Sequence, residues 1–180
     1  MEDPAFTKLE TNRLVIRRFR EADALQFAAY RNDPEIARYQ GWDRPYADSE
    51  AREFVASIRD LAPGKPDTWF QFAVSTSESG VLIGDVALRT TPDDHRQAEL
   101  GFSFAAAYQH HGYAAEAVRA VIDYAFTVLC MNRVFAITDS RNVRAQRLLE
   151  RLAFRLQQKI GRDALLYSQL DSEGHPEDVV

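Results

Sequence analysis

Apolar residues recur along this chain with two different periods, and the order in which those periods alternate predicts its architecture. Arg13 to Phe19 alternates as a strand does, and Ala22 to Tyr30 carries the spacing of a helix that Asn32-Asp33-Pro34 stops. A short helical piece, Glu35 to Tyr39, leads into a turn-rich loop, Gly41-Trp42-Asp43-Arg44-Pro45-Tyr46. Asp48 is the predicted N-cap of a helix from Ser49 to Leu61, ended by Pro63-Gly64. Three strands follow as a meander, Phe70–Ser75, Val81–Arg89 and Ala98–Phe104, with Thr76–Gly80 and Thr90–Arg96 as connections.

Beyond residue 104 the order changes. Ala114, Ala117, Val118, Val121, Ile122, Ala125, Phe126 and Leu129 mark one buried face of a helix over Tyr113–Val128. A strand at Arg133–Thr138, a helix at Val143–Leu152, and strands at Phe154–Ile160 and Leu165–Leu170 complete the pattern. Ala145, Leu148, Leu149 and Leu152 form the apolar stripe of the second helix, with Arg144, Arg147 and Arg151 on its exposed side or edge. Strands on both sides of a helix imply a mixed α/β sheet with at least one parallel pair, and the segments around Phe102 and Phe135 are the natural parallel neighbours.

Between the third strand of the meander and the long helix lies Gln109-His110-His111-Gly112-Tyr113-Ala114. A loop that feeds a helix N-terminus offers unpaired backbone N–H groups and the positive end of the helix dipole, which suits a phosphate or pyrophosphate. Gly112 lets the backbone approach such a ligand closely. The same residues also suit a plain structural turn, and they are neither a Walker A sequence nor a dinucleotide fingerprint.

The 180 residues fit one domain, and the balance of 46% apolar to 27% charged residues is that of an ordinary globular protein. No apolar run is long enough to cross a bilayer, and no export signal leads the chain, so a cytoplasmic protein is expected. The one cysteine, Cys130, agrees and reads as an inert, partly buried thiol. Net charge is −5, but the last ten residues hold four acids and no base, which leaves 23 acids against 22 bases before them. That end reads as a solvated, disordered tail. With no Lys/Arg block, nucleic acid and membrane are not expected partners, and a phosphate-bearing ligand must be held by local geometry.

Taken together, the motifs resemble those of the GNAT N-acetyltransferases, within them the branch that acetylates ribosomal-protein N-termini (RimJ/RimL-like). Glu99-Leu100-Gly101-Phe102, followed by Tyr108 to Ala117, is similar to the strand and acetyl-CoA loop of that family. Asn132-Arg133-Val134 and Asp139-Ser140-Arg141-Asn142 resemble its next strand and capping Asn, and Leu148 to Phe154 its Leu-Gly-Phe segment. The departures are Ala145 for a Ser, Ala153 for a Gly, Leu149 for the Tyr that often serves as general acid, and Ala105-Ala106-Ala107 for a proline.

The resemblance implies a GNAT fold: a mixed, seven-stranded, mostly antiparallel sheet, its central parallel pair splayed at the acetyl-CoA site, with helices on both faces. It divides the chain into an N-terminal arm (1–10), the acetyltransferase domain (11–170) and the acidic tail (171–180). It further implies that acetyl-CoA is the cosubstrate, its pyrophosphate over Gln109, His110, His111, Gly112, Tyr113 and Ala114. Pantetheine would run beside the strand at Phe102 and Phe104, and Asn142 would donate to one of its carbonyls or cap the Val143 helix, or do both. Arg147 is assigned to the same ligand.

Glu99 is the expected general base, acting through a water, since strand alternation puts it on one face with Gly101 and Ser103. Its alternative is a surface Glu paired with an Arg. Asp85 is a second candidate on the neighbouring strand. Ser103 and Tyr108 are possible sources of a proton in place of the missing Tyr, each with a structural alternative. Tyr39, Trp42, Asp43, Tyr46 and Trp69 are expected near the acceptor amine together with Asp85, unless those aromatics simply close the core. His110 and His111 point apart and lack a third ligand, so no metal is expected.

The predicted activity is acetyl transfer to a primary amine, a protein N-terminal α-amine or a small amine, by direct attack on the thioester. The alternative is a catalytically weak acyl-CoA-binding or sensing module, motivated by Ala145 and Leu149. The chain is expected to be a monomer or homodimer.

Overall fold

The computed structural model describes residues 1–40 and 45–171. Trp42 and Asp43 of the expected acceptor group, and residues 172–180 of the acidic tail, lie outside the described residues. In order the chain forms β1 (Lys8–Glu10), β2 (Leu14–Arg17), a 3-10 turn (Glu21–Asp23), α1 (Ala24–Arg31), α2 (Pro34–Ala37) and α3 (Asp48–Ile58). β3 (Trp69–Thr76), β4 (Leu82–Thr90) and β5 (Gln97–Phe104) come next, then a 3-10 turn (Ala106–Tyr108) and α4 (Tyr113–Thr127). β6 (Arg133–Asp139), α5 (Val143–Arg151), β7 (Arg155–Ile160) and β8 (Ala164–Leu170) complete it.

The strands make one sheet in the order β1-β2-β3-β4-β5-β6-β8-β7, antiparallel throughout except for β5 and β6. Among the described residues, eight strands stand where seven are expected. The addition is β1, which pairs with β2 through Leu9 and Ile16. Three residues, Lys-Leu-Glu, carry no readable period, and only the partner strand makes them a strand. Phe6, just before β1, is 5% exposed and packs edge-on against Phe70 and Phe72, which anchors the otherwise largely exposed N-terminal segment to the core.

Alternation along β3–β5 explains the two cores. Phe72, Val86, Leu88, Leu100 and Phe104 point to one face, where they meet Ala117, Val118, Val121, Ile122 and Ala125 of α4 and Leu148 and Leu149 of α5. The other face is covered by α1–α3, with Phe27, Tyr30, Ala51 and Val55 packed on Ala73. α3 begins one residue early, at Asp48, with Ala47 as its cap; the Glu50 carboxylate takes the Ala47 N–H at 2.6 Å and fixes that start. Among the described residues no helix is long and apolar enough to cross a membrane.

The feature that makes a site is the behaviour of the parallel pair. β5 and β6 are paired only at Gln97/Arg133, Ala98/Val134 and Glu99/Phe135. Phe102 therefore has no neighbour in β6, which correctly pairs with β5 but leaves it after Phe135. β5 stays bound to β4 as far as Phe104, so a wedge opens between β5 and β6 with Glu99 and Phe135 at its vertex.

Candidate active site

One edge of that wedge is bare backbone. The Ala105 N–H bonds the Ile83 carbonyl at 2.9 Å, and an antiparallel ladder turns alternate residues to alternate edges. Residues 103 and 105 thus point their main-chain groups at β4, while Phe102 and Phe104 point theirs into the wedge. The Phe104 carbonyl is already taken by Gln109 Nε2 at 2.9 Å. Phe102 is left as the paired donor and acceptor facing the opening.

The wedge continues into a cleft of about 510 Å³ that reaches the N-terminus of α4. His110 (φ 66°) and Gly112 (φ 83°) both take the left-handed conformation, which curls the chain so that successive N–H groups converge. Gly112 takes it at no steric cost, whereas a Cβ there would be strained and would lie 3.3 Å from Arg13 Nη2. Among the described residues nothing accepts a hydrogen bond from the N–H groups of His110 to Ala115, while Glu116 N–H begins the helix ladder on Gly112. Such a cradle fits a pyrophosphate.

The expected cofactor residues Phe102, Phe104, Gln109, His110, Gly112, Tyr113, Ala114 and Asn142 all line the cleft. Asn142 caps α5 through Oδ1, which accepts from Ala145 N–H at 3.2 Å, and its amide nitrogen remains available as a donor. The His111 ring turns away, Nδ1 lying 2.6 Å from the Gln109 carbonyl. Arg147 lies beside Glu150 in a separate shallow hollow, whereas Arg141, Arg144 and Arg151 reach the cleft. Arg144, Arg147, Leu148 and Arg151 stand at i, i+3, i+4 and i+7 on one side of α5, so spacing alone does not separate Arg147 from the arginines that reach the cleft. Arg141 shares its charge with Asp139, which its hydrogen bonds hold down at about 2. Among the described residues Arg144 donates only to the neutral Gln109 amide oxygen, at 3.3 Å, and has no carboxylate partner.

The proposed chemical groups separate into rows across the sheet. Trp69, Arg89, Glu99 and Phe135 are cross-strand neighbours in one row, and Ala73, Asp85 and Ser103 in another. Four residues of strand put Glu99 and Ser103 about 13 Å apart along β5, too far for both to touch one amine. Glu99 is half-buried at the vertex; its burial raises its proton affinity, and the Arg89 charge beside it works the other way. Ser103 lines the cleft and its Oγ accepts from Gln40 Nε2 at 3.1 Å, a partner that no sequence pattern announces.

Asp85 is only 3% exposed. Its Oδ1 accepts from the Tyr30 hydroxyl at 2.5 Å, and Arg31 stands 3.8 Å from Oδ2. Burial raises its proton affinity against the pull of Arg31. That carboxylate is enclosed by α1 and does not open on the cleft, so it offers neither an acceptor anchor nor a base. Tyr39 lines the cleft, while Trp69 lies over Gly101 and is 37% exposed. Tyr46 packs edge-on against Phe27 in the α1–α3 core. Leu149, where a general acid often stands, is 1% exposed in the main core. Cys130 is half-buried past the end of α4, its Sγ 3.8 Å from the Val128 carbonyl. Among the described residues no three His, Cys, Asp or Glu groups come together as a metal site would need.

The model of the acetyltransferase (GNAT) domain family matches residues 13–155. The chain belongs to the GNAT acetyltransferase family. An N-acetyltransferase of uncharacterized specificity, p20 of Bacillus licheniformis, is 32% identical over 148 residues, 81% of each chain. Among solved structures, the ribosomal-protein-S5-alanine acetyltransferase of Vibrio fischeri superposes with a TM-score of 0.80 at 21% identity, covering 95% of this chain and all (100%) of that one. The spermidine N-acetyltransferase of Vibrio cholerae, in complex with CoA and spermine, gives 0.75 at 24% identity over 90% and 98% of the two chains. The protein is thus an N-acetyltransferase with the GNAT fold, and its donor is acetyl-CoA.

Proposed function

We propose that this GNAT enzyme acetylates a primary α-amine, such as a protein N-terminus, by direct attack on the thioester, with Glu99 as general base through a water. The observation that carries this reading is the position of Glu99, half-buried at the point where β5 and β6 part. Acetyl-CoA supplies the activated acetyl group. The N–H groups of Gly112 to Ala114, the dipole of α4 and Arg144 hold its diphosphate end. Phe102 pairs with the pantetheine arm as a further strand would, which leads the thioester toward the vertex and an inward N–H toward its oxygen. Asn142 donates its amide to the same arm.

Proton affinity favours an α-amine over the alternatives. Its pKa of about 7.7–8.0 leaves roughly a tenth neutral at pH 7, against under ~0.1% for a lysine amine near ~10.4, so a modest base suffices. With Leu149 sealed in the core, no strong acid–base pair is on offer.

The test is release of CoA thiol across a panel of N-terminal peptides, lysine side chains and polyamines, for the native chain and Glu99→Gln. Peptides should react fastest, and the substitution should slow them about a hundredfold or more. Unchanged rates in Glu99→Gln would remove Glu99 from the mechanism. CoA binding with turnover of no amine would favour the sensing module instead.

A further inference from the structure

Glu116 is out of place for an enzyme that binds a diphosphate. It stands in the first turn of α4, one turn beyond the amides that hold the anion, where a carboxylate opposes the ligand. Among the described residues, every hydrogen bond of its carboxylate runs to the segment ahead of β2. Oε1 accepts from Thr11 Oγ1 at 2.6 Å and from Arg13 N–H at 3.0 Å, and Oε2 accepts from Arg13 Nε at 2.7 Å, with Nη2 also 2.7 Å away. The third guanidinium nitrogen, Nη1, donates to the His111 carbonyl at 2.9 Å. The guanidinium lies 4.5 Å from the centre of the Tyr113 ring.

We propose that Arg13 and Glu116 are positioning residues that set the anion loop before acetyl-CoA arrives. The inference rests on the reading that residues 109–114 hold the diphosphate. In a trans peptide the C=O and N–H point in opposite directions, so tying the His111 carbonyl to Arg13 turns the Gly112 N–H toward the cleft. His110 (φ 66°) needs this help, since left-handed backbone costs of order 1 kcal/mol or more at a non-glycine residue, whereas Gly112 adopts it freely. Glu116 orients the fork so that one nitrogen reaches the carbonyl, and Arg13 in turn cancels the charge that would repel the ligand. Lysine cannot replace it, because a single ammonium does not span carboxylate and carbonyl in one plane.

The two roles predict opposite signs for one substitution. Removing a negative charge near the anion should tighten CoA binding in Glu116→Gln if charge alone matters. As the anchor of the latch, Glu116→Gln should weaken it about tenfold, and Arg13→Ala about tenfold to a hundredfold, with Arg13→Lys failing to restore it. Titration calorimetry with CoA reads these effects, and the thermal midpoints of the ligand-free variants check that each is folded. S-acetylpantetheine, which lacks the diphosphate, should be turned over by Arg13→Ala with native kcat/KM. Tighter binding in Glu116→Gln, native affinity in Arg13→Ala, rescue by lysine, or an equal loss with S-acetylpantetheine would overturn the proposal. A native chain that binds no CoA would instead overturn the cofactor reading on which it rests.

Discussion

Glu99 and Asp85 show how environment separates two carboxylates on adjacent strands of one sheet. Burial raises the proton affinity of both. Asp85 is closed in by Tyr30 and Arg31, while Glu99 stays half-buried where β5 and β6 part. Sequence alternation put Glu99 on the Gly101–Ser103 face, but nothing in it says that Tyr30 lies over residue 85, because that contact spans 55 positions. The Arg89 charge holds the Glu99 pKa below where burial alone would set it. Arg89→Met removes that pull, so Glu99 should lose its proton only at higher pH. The acid limb of the kcat/KM profile should move upward; a limb that stays put, or moves down, would show that it belongs to another group.

At the scale of elements, most of the architecture was legible because period and punctuation agree. The meander, the α4 crossover and the closing hairpin fall within a residue or two of where the pattern places them. β1 has no signal in the sequence because three residues carry no period, and Arg144 and Arg147 share one side of α5, so that only the fold shows which of them enters the cleft. The wedge itself has no local signature: β5 and β6 look continuous as strands, and only their register shows where pairing stops. Gly84 protects that geometry from the other side. A Cβ there would lie 2.3 Å from the Ser103 carbonyl oxygen and 2.9 Å from Phe104 Cα, both backbone atoms that cannot move aside cheaply. Gly84→Ala should force β4 and β5 apart, lowering stability in urea by about 1–3 kcal/mol and weakening CoA binding together. Loss of stability with CoA affinity intact would mean that the Phe102–Phe104 edge does not hold the arm.

Across the whole molecule, the sheet is used differently on its two faces. α4 and α5 seal one face with the larger core and bring the anion loop and Asn142 to the mouth of the wedge. α1–α3 cover the β2–β4 part of the other face and leave Gly101 and Glu99 partly open beneath Trp69. On the proposed function, donor and acceptor would thus reach the vertex at Glu99 by separate approaches. The most direct measurement is a crystal structure with CoA bound. The diphosphate should lie within hydrogen-bond reach of the Gly112–Ala114 amides, the pantetheine arm should pair with Phe102, and the thiol should point at Glu99. A diphosphate seated elsewhere, or an arm that leaves the β5 edge bare, would contradict this reading.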